Sequence, residues 1–473
     1  MIRLFRSDLP KPAPWPRDSQ SIAAALRWTR LHDPYGHQIH NGLAIIYMLL
    51  LPWITAPKDV AFVLLVGYAV FRIPFTWRCY APLIRSPLMW AFLAWAGWSA
   101  ITLGWSRDRG QGIDELLAMR VLLTPLAMWP VLDRLPMHLG AALVGVFAQQ
   151  VCQLLDFMGW VDFRVQDAEY GRVGGWIHPI HTGTWCVAAI CWNLAAALCT
   201  RGWMRAVSTG LLLAAAVGLL ATQSRGPWLA ATIVAPLTLI AIFLRRPDSR
   251  RFALILAVLC IGGALIAWPV ARKLVTPRLA EAASDVQRAA DEEVYWTPIG
   301  LRMGLAQWSW QLFTKHPVRG IGVGSFQTAL RELPAYQHAE KVARNHNRDF
   351  VQRMRRDHPH SMYLYTLTCT GAIGGILMLA VIVLLVRQLW RDPPNHPWAL
   401  GSMFVLIGWL IGAMFDCHEL NGHAFGLMGY LAAATLPHRA RIRYDLRPGR
   451  PAELALLRAE AAARGEADEP PSR

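Results

Sequence analysis

Charged side chains are scarce in this 473-residue chain, since Asp, Glu, Lys and Arg together make up 16% of it, against about 25% in an ordinary soluble domain. Hydrophobic residues make up 54% of the chain. They recur in runs of about 18 residues or more, and each such run is long enough to cross the hydrocarbon core of a bilayer. The sequence therefore excludes a string of soluble domains and predicts an all-α polytopic membrane protein.

Paired-cysteine motifs are also missing, and no leader segment is expected. The eight cysteines include no CxxC pair of the kind that binds zinc or carries out redox chemistry. Most of them lie inside apolar runs, where a cysteine behaves as a small hydrophobic residue. No cleavable signal peptide is expected, because residues 1–38 are basic and polar and the first apolar run begins near Ile39.

Apolar segments predict about twelve transmembrane helices. They lie at about residues 39–55, 58–75, 87–105, 113–131, 137–158, 179–200, 203–222, 226–244, 252–270, 361–386, 397–415 and 422–437. Arg and Lys concentrate in alternate connecting segments, which the positive-inside rule places in the cytoplasm together with both termini. Because much of the net charge of +16 is this topology signal, no nucleic-acid partner is expected.

The segment 271–360 interrupts the pattern of short loops. It is mixed in charge, and the helices expected at 278–290 and 301–313 suggest a helical cap on the external face. The expected organisation is a cytoplasmic segment 1–38, nine spans within 39–270, the cap at 271–360, three spans within 361–437 and a cytoplasmic tail 438–473.

Four ionisable residues fall on the external side, at or near the ends of predicted helices: Arg172, Arg225, Arg302 and His360. Arg225 opens a helix in TQSRGPWLA, where a guanidinium beside free backbone N–H groups makes a good anion site. Arg172 lies in a glycine-rich turn shortly before His181. Taken locally, these patterns equally allow snorkelling arginines and an interfacial histidine.

The stretch HPHSMYLYTLTCTGAIGG, residues 358–375, places His360 at the mouth of the tenth predicted span. From His360, the positions Tyr363, Gly371 and Gly374 follow helical spacing along one face, where the glycines would let a neighbouring helix approach closely. A neutral imidazole at this place could act as a general base near pH 7 or could cap the helix. His358 has a supporting role or none.

Arg120 is predicted to lie inside the fourth span, about two turns from its outer end. An ionisable group at such a depth is a candidate for a functional role. Alternatively, Arg120 pairs with Asp114 or Glu115 of the same helix.

A metal site is not expected from the histidines. His358 and His360 could be joined by Asp357, His338 or His346, but no such set has the spacing that zinc ligands usually show. The sequence HELNGH at 418–423 is one residue longer than the HExxH motif of zinc enzymes.

Four stretches resemble the O-antigen ligase family, which forms a superfamily with O-antigen polymerases and bacterial O-oligosaccharyltransferases. TQSRGPWLA resembles the family's SRG-type helix start, and residues 169–185 resemble the stretch before an earlier helix. The signature H-[N/S/Q]-x9-G-x-x-G is matched by His360, Ser361, Gly371 and Gly374. The segment R…W…P..G.G.G.F is matched by Arg302, Trp308, Pro317, Gly320, Gly322, Gly324 and Phe326.

This resemblance, which covers roughly residues 169–375, implies a C-type glycosyltransferase architecture in a Gram-negative inner membrane, with the cap and the active site in the periplasm. The donor would be a glycan on undecaprenyl diphosphate, and the acceptor a sugar hydroxyl of lipid A–core oligosaccharide. His360 would be the catalytic base of a metal-independent, inverting transfer without a cofactor. The diphosphate would be bound by Arg172, Arg225 and Arg302. Supporting roles would fall to Arg120, His358, His181, Tyr363 and Trp308.

One departure from the family and three other activities bear on this expectation. Cys369 stands where many relatives carry an acidic residue, so no catalytic carboxylate is expected on the helix after His360. An O-antigen polymerase would use the same donor, and a protein O-oligosaccharyltransferase would glycosylate Ser or Thr, although such relatives often carry a further external C-terminal region. A transporter would need charges staged through the membrane, where only Arg120 lies deep.

Overall fold

The computed structural model describes residues 19–163, 172–291, 294–346, 358–391 and 397–439, together with Lys11, Ala455, Arg458, Ala459 and Ala462. Within these ranges every regular element is helical, which agrees with the predicted all-α class. The α-helices are α1 Ser19–His32, α2 Pro34–Leu50, α3 Thr55–Phe71, α4 Ile73–Thr76, α5 Ala81–Ile84, α6 Pro87–Thr102, α7 Arg109–Ala118, α8 Thr124–Met128, α9 Leu135–Phe157, α10 Pro179–Cys199, α11 Trp203–Ala221, α12 Arg225–Arg245, α13 Arg250–Asp291, α14 Pro298–Lys315, α15 Phe326–Arg331, α16 Pro334–His346, α17 Met362–Trp390, α18 Pro397–Gly412 and α19 Gly422–Arg439. Short 3-10 turns lie at Trp77–Tyr80, Leu103–Trp105, Met119–Leu123, Trp129–Arg134, Pro247–Ser249 and His418–Leu420.

Helical residues occupy each of the twelve segments that the sequence predicts to span the membrane. Six helical stretches in the described part of the chain are long and apolar enough to cross a bilayer. A seventh is added if α3 and the following stretch Ile73–Ile84, which is bent from it by 62°, count as one span. The chain is thus a multi-pass membrane protein, while the count of twelve spans stays a prediction.

The fourth predicted span is not one straight helix. Between Arg109 and Arg134 the chain forms α7, a 3-10 turn, α8 and a second 3-10 turn. Pro125 and Pro130 stand at the starts of the last two pieces, where a proline lacks the amide donor that would continue the preceding helix. Proline placement therefore explains the segmentation.

Helix α13 joins two elements that the sequence predicted separately. Its 42 residues run without interruption from the ninth predicted span into the polar helix expected at 278–290. At 1.5 Å per residue such a helix is about 60 Å long, roughly twice the thickness of a hydrocarbon core. The helix packs beside α12 and α14, and its residue Glu281 pairs with Arg225 at the start of α12.

Helices α14 to α16, which we call the cap layer, have a hydrophobic core of their own. Trp308, Phe326 and Tyr336 are buried there together with Tyr365 and Cys369 of α17. Tyr365 and Cys369 thus join one face of α17 to the cap layer, whereas Met362 and the later turns pack in the main bundle. Such an arrangement fixes the start of α17 against α14.

Helix α17 is interrupted at Gly371, whose φ of +69° lies in the left-handed region. Residues 316–324 after α14, which we call the glycine turn, fill the break. The amide of Ala372 donates to the carbonyl of Pro317 (2.8 Å), and the amide of Gly322 donates to the carbonyl of Cys369 (2.9 Å). Gly371, expected to admit a neighbouring helix, therefore admits this turn, because its amides and carbonyls satisfy the backbone groups freed by the break, whereas Gly374 does face a neighbouring helix, at Trp98 of α6.

Glu115 of α7 holds the glycine turn from its other side. Its carboxylate accepts the amide of Gly324 at 2.6 Å and also accepts the hydroxyl of Tyr365. Glu115 is buried, so these donors supply the hydrogen bonds that a buried carboxylate needs. The sequence had allowed an ion pair between Glu115 and Arg120, but Arg120 pairs with Asp59 instead.

Candidate active site

Two of the predicted arginines meet at the start of α12. Arg225 is the first residue of that helix, after Ser224. Arg172, in the turn before α10, donates to the hydroxyl of Ser224 (2.8 Å) and to the carbonyl of Thr222 (3.4 Å). Gln223, with φ of +46°, forms the turn between Thr222 and Ser224. The two guanidinium groups are therefore fixed on one short stretch of backbone.

Arg302 brings the third guanidinium to the same place. It lies in the second turn of α14 and lines one cleft together with Arg172 and Arg225. Glu281 of α13 also lines the cleft, and its carboxylate lies 3.2 Å from Arg225. Three guanidinium groups against one carboxylate make this cleft strongly cationic, and the open N-terminus of α12 adds to that field. An anion with several oxygens fits such a site.

A histidine–aspartate cluster lies next to this cleft. The Nδ1 of His360 is 3.6 Å from one carboxylate oxygen of Asp416, and the Nδ1 of His181 is 3.8 Å from the other. Asp416 lies between α18 and the 3-10 turn at 418–420, and its side chain is about nine-tenths buried. These distances are ion-pair distances, slightly longer than a hydrogen bond.

His360 is held in an unusual backbone conformation. Its φ of +53° lies in the left-handed region, which costs a residue other than glycine free energy. Its amide donates to the Nδ1 of His358 (3.2 Å), and the amide of Met362 donates to the carbonyl of Ala413 (3.0 Å). Because its own amide and that of Met362 are held by hydrogen bonds, the imidazole is directed at Asp416 rather than into solvent.

The environment keeps the imidazole of His360 neutral. Burial has the largest effect and, with smaller contributions from His358 and Arg302, lowers its pKa to about 4 even though Asp416 opposes the shift. At pH 7 the ring can therefore accept a proton. Since Nδ1 faces Asp416, the nitrogen left for a substrate is Nε2.

The cluster and the cleft are two parts of one site, because they share neighbouring residues on two segments. Phe415 lines the arginine cleft and Asp416 follows it directly. Ile180 lines the cleft and His181 follows it in α10. A base and an anion-binding cleft thus lie side by side, which suits the transfer of a group away from an anionic carrier.

His358, His360 and Asp416 could also hold a metal ion. One ligand atom from each residue lies within 4.8 Å of the others. Two imidazoles and a carboxylate are ligands that zinc accepts. Asp357, considered from the sequence as a third ligand, lies outside the described residues, as does the side chain of His346; His338 of α16 is not part of the group.

Three residues expected in supporting roles do not line the arginine cleft. Arg120 pairs with Asp59 of α3 at 2.7 Å, because its helix is broken and the side chain turns toward α3. Trp308 is buried in the cap layer, edge-on to Tyr336 with ring centroids 5.1 Å apart. Tyr363 donates to the carbonyl of Leu410 at 2.8 Å and so ties α17 to α18. These contacts give the three residues structural roles.

Asp416 is the residue of the site that the sequence reasoning missed. In the segment FDCHELNGH after the eleventh predicted span, the near match of HELNGH to a zinc motif is the more conspicuous pattern. A usable signal was present, since the predicted topology places this acid-rich segment on the same external side as His360. In line with the expectation drawn from Cys369, α17 contains no carboxylate, and the one that faces His360 comes from the loop after α18.

Residues 210–379 match the family model described as Wzy_C, O-Antigen ligase. The matched range contains Arg225, Arg302 and His360, but not His181 or Asp416. No curated protein matches the chain.

Proposed function

The chain belongs to the O-antigen ligase family through residues 210–379, and from that premise we propose that it transfers a polysaccharide from undecaprenyl diphosphate to a sugar hydroxyl of lipid A–core oligosaccharide. The reaction takes place on the periplasmic face of the inner membrane. At a coarser level the family match already supports a membrane glycosyltransferase. The observation that carries the finer proposal is the position of a neutral His360 next to a cleft lined by three arginines.

The arginines suit a diphosphate leaving group. As the bond between the anomeric carbon and the diphosphate oxygen breaks, negative charge accumulates on that oxygen. Guanidinium groups hold phosphate oxygens through paired, charge-assisted hydrogen bonds and remain charged at every relevant pH. Contacts that strengthen as this charge develops lower the barrier rather than merely retaining the donor.

His360 acts as the general base. Its Nε2 takes the proton of the acceptor hydroxyl while that oxygen attacks the anomeric carbon from the face opposite the diphosphate. A glycosidic bond forms with inversion, and undecaprenyl diphosphate leaves with the bonding electrons. Asp416 acts through His360 as a positioning residue, since its carboxylate faces Nδ1 at 3.6 Å and stabilises the imidazolium that forms.

Purified protein, donor and lipid A–core oligosaccharide provide the test. Wild-type protein should give a ligated product, and Arg302→Ala should lower kcat by about a hundredfold because it removes charge stabilisation in the transition state. Arg109→Ala, which removes a guanidinium outside the cleft, is the matched control and should retain activity. An Arg302→Ala protein as active as Arg109→Ala would overturn the proposed role of the cleft.

The same assay separates the alternatives. A ladder of products made from donor alone would identify a polymerase, and transfer to Ser or Thr of a peptide would identify a protein O-oligosaccharyltransferase. Movement of donor across a vesicle membrane without glycosidic-bond formation would identify a transporter.

A further inference from the structure

A second cavity lies away from the arginine cleft, beside the glycine turn. It has a volume of about 260 Å³ and is bounded by the end of α14, the start of the glycine turn, α15 and the turn at Leu103–Trp105. Its walls are tied together: Ser106 donates to the carbonyl of Val323 (2.6 Å), and the amide of Arg107 donates to the hydroxyl of Ser325 (2.8 Å). The cavity is therefore part of the folded framework.

Basic side chains dominate its lining. Lys315, His316, Arg319 and Arg107 face it. Among the described residues that line it, the single carboxylate is Glu332, which is already paired with Arg107. The guanidinium of Arg319 lies over the ring of Trp105, 5.7 Å from its centroid. A net positive charge therefore remains in the cavity, and the aromatic contact fixes Arg319 at one side of it.

Lys315 also contributes to helix stability, an effect that is distinct from ligand binding. It lies in the last turn of α14, where a cation also stabilises the helix end. Arg319 has no such role, because it lies beyond the helix in the glycine turn. Arg319 is thus the more informative of the two positions.

The cavity lies where the lipid-facing surface of the bundle ends. Below it, α6 and α17 pack together and expose apolar side chains such as Ile101 and Ile376 to the surroundings. Trp98 of α6 donates to the carbonyl of Thr370, next to the break in α17 (2.8 Å), and its ring centroid is 6.0 Å from that of Trp105. Tryptophans collect at the level of lipid headgroups, so the basic cavity is at headgroup height.

We propose that this cavity binds the anionic phosphate group of a membrane amphiphile, through Arg319 and Lys315 and apart from the donor site. The phosphate can belong to a phospholipid headgroup or to lipid A, whose phosphate groups carry the same chemistry. The external placement of the cavity rests on the function proposed above. Basic pockets at the membrane surface bind lipid headgroups in this manner.

Lipid binding is measured without donor, so that the result does not depend on transfer. The full chain in detergent is titrated with phosphatidylglycerol, lipid A, dephosphorylated lipid A or phosphatidylcholine, and bound lipid is counted by native mass spectrometry. The variants are Arg319→Ala, Arg319→Ala with Lys315→Ala, and Lys341→Ala. Lys341 is exposed on α16 outside the cavity and controls for the loss of one charge.

Wild-type protein should bind the anionic phosphate lipids more tightly than dephosphorylated lipid A. Arg319→Ala should weaken this binding about fivefold, and the double variant about tenfold or more, since each basic residue near the surface contributes a similar increment. Lys341→Ala should bind as wild type does. Tight binding of lipid A alone would identify the acceptor as the source, and equal binding of phosphatidylglycerol would identify bulk lipid.

Equal retention of all lipids, or equal affinity in the double variant and Lys341→Ala, would overturn the proposal. Failure of the transferase assay with intact lipid binding would instead count against the proposed function alone. A thermal unfolding curve for each variant shows that the comparison is made on folded protein.

Discussion

His360 and Asp416 come from different segments and meet with 3.6 Å between the imidazole Nδ1 and a carboxylate oxygen. The other oxygen of Asp416 is 3.8 Å from His181 of α10. One buried carboxylate thus orients the proposed base and links the start of α17 to α10. The neighbouring residue Phe415 lines the arginine cleft. A change in the conformation of this loop would therefore affect both the cleft and the histidine–aspartate cluster.

Replacing this carboxylate should slow the reaction without preventing donor binding. In Asp416→Asn the ring of His360 loses the anion that orients it and stabilises its protonated form, so kcat should fall about ten- to a hundredfold. KM for the donor should change little, because the arginines remain. Steady-state kinetics with donor and lipid A–core measure both quantities.

Asp291→Asn is the matched control, since it makes the same change at an exposed position at the end of α13. It should leave kcat within about twofold of wild type. A rise in KM with unchanged kcat in Asp416→Asn would show that Asp416 acts on donor binding instead.

The pH dependence of the reaction follows from the state of His360. A general base must be neutral, and burial lowers the pKa of His360 to about 4. Titration of His360 should therefore leave kcat/KM constant between about pH 6 and pH 8. It should lower kcat/KM as the pH drops toward 4. Since Asp416 raises the pKa of His360, the fall in Asp416→Asn should begin at a lower pH.

Rate measurements across this range, with activity regained after return to pH 7, separate titration from unfolding. His360→Ala should lose activity by at least about a hundredfold and lose this pH dependence as well. Ligation by His360→Ala at the wild-type rate would remove His360 from its proposed role.

Metal ions should inhibit the protein rather than activate it. Zn²⁺ can be held by His358, His360 and Asp416, whose ligand atoms lie within 4.8 Å of one another. The positive charge of a metal bound to either nitrogen of His360 would make the ring a weaker base. EDTA should therefore leave the ligation rate unchanged, and added Zn²⁺ should lower it.

His358→Ala removes one of these ligands and should make inhibition by Zn²⁺ weaker. Loss of activity in EDTA that is restored by a divalent cation would show that the cluster is a working metal site. The affinity for Zn²⁺ can be followed by isothermal titration of wild type and His358→Ala.

The sequence predicts the features that depend on composition and on the order of residues along the chain. Apolar runs located helices, and the spacing of motifs singled out Arg172, Arg225, Arg302 and His360, of which the arginines line one cleft. The pairing of Arg120 was not predicted, because its partner, Asp59, lies on another helix. A sequence window around Arg120 contains Asp114 and Glu115 but does not reveal which residue the folded chain brings next to it.

Asp416 and the glycine turn also make contacts between distant segments that the sequence does not reveal. The spacing of Gly371 and Gly374 indicated a close approach of a helix, yet the backbone that approaches Gly371 belongs to residues 316–324, and only Gly374 faces a helix, at Trp98 of α6. Which segment fills a helix break depends on tertiary packing, and a single sequence records only that space is available. The carboxylate facing His360 is likewise set by how α18 ends, not by spacing from His360.

The break in α17 supplies a last test, of stability. Gly371→Ala places a methyl group against the carbonyl of Val318 at a residue with φ of +69°. The strained backbone and the clash should together lower the free energy of unfolding by about 1–3 kcal/mol. The break also sets the direction of the nine residues that lead back to Met362, so the ligation rate should fall with stability. Chemical denaturation in detergent measures the first effect.

Gly97→Ala is the control, because no atom lies within 4 Å of a Cβ built at this position of α6. Alanine stabilises a regular helix relative to glycine by up to about 1 kcal/mol, so this variant should be as stable as wild type or more so. If Gly371→Ala matched it in stability and in ligation rate, the glycine turn would not be what fixes the start of α17. A loss of stability and of ligation rate in Gly371→Ala alone would show that the glycine turn and Gly371 of α17 together position His360.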